Sequence, residues 1–290
     1  MHKIRLTGKT ALLIAACSAA FSAPLNKVAL AEGIHPIWLN TLRLAFVLAF
    51  MLTYKQRVQK DRSFDKKTTG LTLLSGMLMS AHLLCWVFAL KMTDALAATT
   101  IYGTYLFMAA AGSVLLLKEH IHKGLVYTML FAMGGVLICG ADMSNTRLSG
   151  NLFALGSAAS YAGYLLCGRF IRQQMDTYRY TRIVYSTALL SLLLSALLFR
   201  LPIEGLTVSS VSAIVGLAVF STLLGHTLCN YALRTISAMV VSTVMLTELI
   251  TGPIMVFFIM SELPTHSTLI GGGVILLAVV WYLWNERKKW

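Results

Sequence analysis

The sequence predicts an all-α integral membrane protein of ten transmembrane helices, built as two five-helix repeats of inverted topology. Composition identifies the solvent. Of 290 residues, 57% are hydrophobic and 12% are charged, with a mean hydropathy of +0.74, whereas a soluble domain carries about 25% charged residues. Segmentation supplies the helix number. A spanning helix needs about 20 apolar residues, and ten such stretches joined by short loops use nearly the whole chain, leaving no room for a soluble domain. Self-similarity at a near-constant offset supplies the two halves, 1–145 and 146–290.

The predicted segments are 9–30, 36–54, 70–90, 95–117, 124–141, 149–170, 180–199, 209–232, 238–260 and 267–285. The first follows a basic start (Lys3, Arg5, Lys9), and Phe21-Ser22-Ala23 imitates a signal-peptide cleavage site. It is nevertheless expected to be retained, because it has a counterpart at 149–170. The run Lys55 to Lys67 after the second segment reads as a cytoplasmic loop drawn to anionic lipid. The third segment carries His82, Cys85 and Trp86. Tyr102 and Tyr105 stand on the fourth, which Glu119 closes. Tyr161 and Tyr164 lie on the sixth; His226, Cys229 and Asn230 lie on the eighth. Glu248 sits near the centre of the ninth.

The net charge of +13 could suggest a nucleic-acid partner. Its distribution argues against one, because Lys and Arg fall in short runs between apolar blocks. With the N-terminus inside, 17 basic residues face the cytoplasm and four (Lys27, Lys91, Arg147, Arg200) face out. That bias predicts both termini inside and an even helix number. All five cysteines lie in apolar segments, so they read as packing residues rather than as a disulfide framework.

Ala89-Leu90-Lys91 with Thr99-Thr100 matches Ala232-Leu233-Arg234 with Ser242-Thr243, 143 positions on. Glu119 matches Glu262 at the same offset. Gly8, Ser18 and Lys27 match Gly150, Ser160 and Arg169 at 142, and Arg43 matches Arg182 at 139. Five helices per half is an odd number, so the second half must enter from the opposite side, the inverted repeat of secondary transporters.

Two five-helix halves, Lys27 and Arg169 ending the first helix of each, Arg43 and Arg182 near the start of the second, and Glu119 and Glu262 closing the fourth resemble the EamA branch of the drug/metabolite transporter superfamily over nearly the whole chain. The resemblance implies ten helices and alternating access. It implies a central cavity lined by helices one, three, four, six, eight and nine, and export of amino acids or other metabolites, with import in some members. Two departures stand out. Phe21-Ser22-Ala23-Pro24 occupies the place of the family's Trp and small polar residues, and the usual mid-helix Pro is missing from the fourth helix, while in the ninth Glu248 lies near that level with Pro253 later.

Ionisable groups in hydrocarbon are costly and mark function more often than scaffold. Glu248 is a candidate proton carrier or counter-ion for a cationic substrate; otherwise it hydrogen-bonds a neighbouring helix. His82 and Cys85, and His226 and Cys229, are each three apart and share a helix face. They are polar lining or packing groups, or, if both faces meet, a four-ligand set for a soft divalent metal. Tyr102, Tyr105, Tyr161 and Tyr164 could hold an ammonium by cation–π attraction beside Glu248 or simply pack between helices. Trp86 faces Asn230 across the repeat, and Glu248 faces Tyr105, so the halves differ there. Arg43 and Arg182 read as snorkelling or capping groups, and Glu119 and Glu262 as loop anchors.

The expected function is secondary active transport of a small metabolite, an amino acid or a related amphiphile, with export favoured and protons as a coupling ion through Glu248. The alternative is transport of a divalent metal, a metal chelate or a cationic amine. A membrane enzyme or scaffold is the reading from another class. There is no GxxxxGK[ST], HExxH or GxSxG pattern, so no cofactor and no catalytic residue are expected. The expected setting is a bacterial-type cytoplasmic membrane and a monomer, with small-molecule substrate and lipid as partners.

Overall fold

The computed structural model describes residues 6–53, 66–93, 95–139, 148–261, 263 and 265–285. Lys3, Arg5, most of the run 55–67, Arg147, Glu262 and Arg287 to Lys289 lie outside them. Among the described residues the elements are helical and there is no strand. They run α1 (Gly8–Ala19), α2 (Ser22–Ala31), α3 (Pro36–Thr53), α4 (Lys66–Met92), α5 (Ala95–Tyr102), α6 (Tyr105–Leu115), α7 (Lys123–Cys139), α8 (Leu148–Ile171), α9 (Thr177–Leu198), α10 (Val208–Gly216), a π-helical stretch Leu217–His226, α11 (Thr227–Ala232), α12 (Ala238–Met245), α13 (Glu248–Met260) and α14 (His266–Asn285). Each predicted segment coincides with helix to within a few residues. Among the described residues eight stretches are long and apolar enough to cross a membrane. The other two segments are α7, with 17 residues, and α8, with 24 residues interspersed with Gly, Ser and Tyr. Large apolar side chains such as Phe50, Leu52, Phe131, Leu198 and Phe258 point outward. In water such a surface would drive association; in lipid it is the ordinary exterior. The chain is an integral, multi-pass membrane protein.

α9 starts at Thr177, three residues before the sequence expectation, because the Asp176 side chain accepts from Arg179 N at 3.0 Å and caps the helix.

Three spans are broken within the helix. α1 gives way to α2 at Ala20–Phe21, where Pro24 four residues on has no N–H to donate and its ring crowds the Ala20 carbonyl. α5 breaks into α6 at Gly103–Thr104, and α12 into α13 at Leu246–Thr247. These last two breaks are alike in detail. Thr104 Oγ1 donates to Ile101 O at 2.7 Å and Thr247 Oγ1 to Val244 O at 2.8 Å. Thr104 N donates to Ile101 O and Thr247 N to Val244 O, both at 3.1 Å. Each hydroxyl competes for a carbonyl and each backbone tightens to an i→i−3 turn. The two threonines are 143 positions apart.

Helix contacts pair up in the same way. α4 packs on α8 as α1 packs on α11 and the π-helical stretch; α4 meets α9 as α3 meets the π-helical stretch; α5 and α6 meet α8 as α12 and α13 meet α1. Exchanging residues 1–145 with 146–290 maps each of these pairs onto its mate. α7 and α14 lie against each other at Gly135 and Gly271, where a Cβ built on Gly135 would stand 2.5 Å from Gly271 O.

Candidate functional site

The three helix breaks and the π-helical stretch surround one cavity of about 240 Å³. Its wall draws on both sides of the first break (Ala20, Ser22), on α4 (His82, Trp86), α5 (Thr99, Tyr102), α8 (Tyr161), the π-helical stretch (Ser221, His226) and both sides of the ninth-segment break (Met245, Glu248). It reaches one end of the molecule at Lys27, Val256, Leu263 and Thr265. A second cavity, about 610 Å³, opens at the opposite end around Glu119, His122, Arg169, Thr235 and Met239. There Arg169 Nε binds Glu119 Oε1 at 2.7 Å, and Arg169 Nη1 donates to Leu233 O at 2.9 Å.

Six of the nine predicted substrate residues line the central cavity: Glu248, His82, His226, Trp86, Tyr102 and Tyr161. Their rings form one cluster. His82 lies 4.8 Å from Tyr161, 5.6 Å from Tyr102 and 5.7 Å from His226, centroid to centroid, and Trp86 lies 5.0 Å from Tyr102. Ser157 Oγ meets His82 Nδ1 at 2.9 Å and fixes that ring. His226 Nδ1 is buried without a hydrogen-bond partner among the described residues. Glu248 opens α13 directly after the Leu246–Thr247 break, whose tight turn already satisfies the N–H groups of Leu249, Ile250 and Thr251. Its carboxylate makes no hydrogen bond or ion pair with any described side chain, and it shares the cavity wall with Tyr102 and Tyr161.

The remaining three, Tyr105, Tyr164 and Asn230, lie one layer beneath the lining residues Tyr102, Tyr161 and His226 and form the floor between the two cavities. Tyr105 OH donates to Ser242 O at 3.1 Å, and Asn230 Nδ2 donates to Tyr164 OH and to His226 O. The contrast between Glu248 and Tyr105 is therefore one between a group facing the cavity and a group sealing it.

The four-ligand alternative is not assembled. His82 and His226 meet edge to face, but Cys229 lies against the Tyr161 hydroxyl at 4.0 Å and Cys85 against Gly156 of α8. Residues three apart diverge by about 60° around a helix, and that divergence sends Cys85 away from the imidazoles. Among the described residues no three His, Cys, Asp or Glu side chains are grouped to hold a metal.

Arg43 corrects the snorkelling expectation. It is 1% exposed, lines the cavity, and donates from Nε to Thr222 Oγ1 at 2.7 Å and from Nη2 to Ser221 Oγ at 2.8 Å. Its sequence match Arg182 is exposed, with its guanidinium 5.5 Å from the Tyr178 ring. The available signal was position: seven residues past Pro36 places Arg43 about 10 Å into its helix. The cavity draws on the six helices that the resemblance implies, on the second through Arg43, and on the tenth through Thr268.

The EamA-like transporter family model matches residues 6–140 and again residues 148–284. The uncharacterized transporter YwfM of Bacillus subtilis (strain 168) is 24% identical over 223 residues, spanning 76% of this chain and 75% of that protein. A protein of known crystal structure superposes with a TM-score of 0.75 over 97% of this chain and 98% of its own, at 16% identity, a likeness of fold alone. Matched in both halves by one family model, the chain belongs to the EamA-like transporter family of the drug/metabolite transporter superfamily.

Proposed function

We propose that this membrane transporter is a secondary active carrier of a small amine-bearing metabolite, an amino acid or a related amphiphile, working by alternating access around the central cavity. One observation carries the reading. Glu248 presents a carboxylate without a described partner to a cavity walled by Trp86, Tyr102, Tyr161 and two imidazoles. An ammonium ion is drawn both to a carboxylate and to aromatic faces, and a cavity of about 240 Å³ suits a solute smaller than a drug.

The matched breaks at Thr104 and Thr247 and the exchangeable helix pairs support two inverted five-helix repeats, 1–145 and 146–290. In that frame, with ten crossings and both termini cytoplasmic, the central cavity faces outward, the Arg169–Glu119 pair stands in the wall of the second cavity on the inner side, and the layer of Tyr105, Tyr164 and Asn230 separates the two. A bacterial cytoplasmic membrane, a monomer, export, and proton coupling through Glu248 complete the proposal.

The test is flux in proteoliposomes under an imposed pH gradient, with a panel of amino acids and amines. The wild type is expected to move at least one of them faster with the gradient, and Glu248→Gln to lose that dependence. Gradient-dependent transport retained by Glu248→Gln would overturn proton coupling through this residue.

A further inference from the structure

Amine recognition by Glu248 leaves Arg43 without a role. Arg43 is among the largest fully buried side chains of the molecule and stands near the middle of α3. A guanidinium has five N–H donors. Here one on Nε and one on Nη2 meet the hydroxyls of Thr222 and Ser221, and the other three have no acceptor among the described residues. Hydroxyls orient a charge but do not neutralise it, and no described carboxylate forms an ion pair with Arg43. A buried cation left in this state is costly unless something else supplies the anion.

We propose that Arg43 is the anion-recognising residue of the cavity, so that the transported solute is a zwitterion with a carboxylate toward Arg43 and an amine toward Glu248. The proposal rests on the reading of this cavity as the substrate site. Its support is geometric. Arg43 and Glu248 line one cavity and carry opposite charges. Lys27, the other cation on the wall, is already engaged by a neighbour. The guanidinium fork is held in place from behind. Thr222 Oγ1 also donates to Leu217 O at 3.3 Å, and Tyr185 OH donates to Thr222 O at 3.5 Å. A π-helical stretch, a form frequent at functional sites, sets Ser221 and Thr222 toward Arg43. The planar fork matches a carboxylate in bidentate fashion, and one guanidinium balances one monoanion.

Thermal-shift titration of the full-length chain in detergent tests this with two matched sets: phenylalanine, phenethylamine and 3-phenylpropionate; leucine, isopentylamine and 4-methylpentanoate. At a fixed concentration, a bound ligand stabilises the folded state by an amount that rises with the logarithm of its affinity. In at least one set the amino acid is expected to bind about 10-fold to 100-fold more tightly than its amine, the scale of a charge-assisted hydrogen-bond pair. Arg43→Gln is expected to abolish the preference, so that amino acid and amine bind with about equal affinity. Equal wild-type affinity for amine and amino acid, no stabilisation by any of the six, or a preference kept by Arg43→Gln would each overturn the proposal. Should Arg43→Gln fail to fold, the wild-type ranking and Ser221→Ala decide it. Flux of amines without a carboxylate preference would sink this inference and leave the carrier reading standing.

Discussion

A single carboxylate and a single imidazole show how position decides role. Glu248 and Tyr105 are repeat mates, yet one opens α13 at the cavity and the other is bonded to the Ser242 carbonyl beneath it. Tyr105→Phe removes a buried hydroxyl and leaves the Ser242 carbonyl unpaired by it, so a loss of about 1 kcal/mol in unfolding free energy is expected with substrate affinity unchanged. Denaturation of the purified protein with and without ligand measures both. Ser157→Ala acts differently. It removes the 2.9 Å hydroxyl contact of His82 Nδ1 and leaves only the Ser157 carbonyl at 3.4 Å, so substrate affinity is expected to fall several-fold, read by the same titration. Glu248 was legible in the sequence because an acid amid apolar residues is rare. Arg43 was not, because an arginine near a segment end and one facing a cavity look alike until the helix's neighbours are known. Cys85 was misleading for a related reason: spacing of three gives a shared side of the helix but not a shared target.

At the scale of elements, the breaks are what place the site. Pro24 made the first break readable in principle. The other two depend on Thr104 and Thr247, ordinary residues in apolar helices whose significance lies in their common offset and in the carbonyls they capture. Thr104→Val and Thr247→Val keep shape and remove the competing hydroxyl. Transport is expected to slow several-fold while thermal stability changes little, since mid-helix hydroxyl-to-carbonyl bonds contribute little net stability. α7 and α14 present the opposite case. Their contact at Gly135 and Gly271 leaves no space for a Cβ, so Gly271→Val is expected to destabilise the fold by about 1–3 kcal/mol, the usual cost of overpacking. A melting curve of the variant checks it. Helix existence was legible throughout from hydropathy. The start of α9 was displaced because the cap of Asp176 is a local polar event that apolar periodicity does not register.

For the whole molecule, two cavities reach opposite ends and are separated by a floor of Tyr105, Tyr164 and Asn230. The end that holds the second cavity is tied by Arg169 to Glu119 and to the Leu233 carbonyl, so Glu119 is more than a loop anchor. Glu119→Gln is expected to loosen that end. A cysteine placed at Ser242, buried in the floor, should then react with a small alkylating reagent several-fold faster than in the parent, with the five native cysteines replaced. The two-fold character of the chain was legible from offsets alone. The substrate side was not, because it depends on which of several polar groups on eight helices converge. The most direct measurement of the central claim is counterflow in proteoliposomes. An unlabelled amino acid or amine trapped inside should drive transient accumulation of its labelled form through the wild type, and Glu248→Ala should abolish it. Counterflow undiminished in Glu248→Ala, or none with any amine or amino acid in the wild type, would contradict the assignment of this cavity as the site of transport.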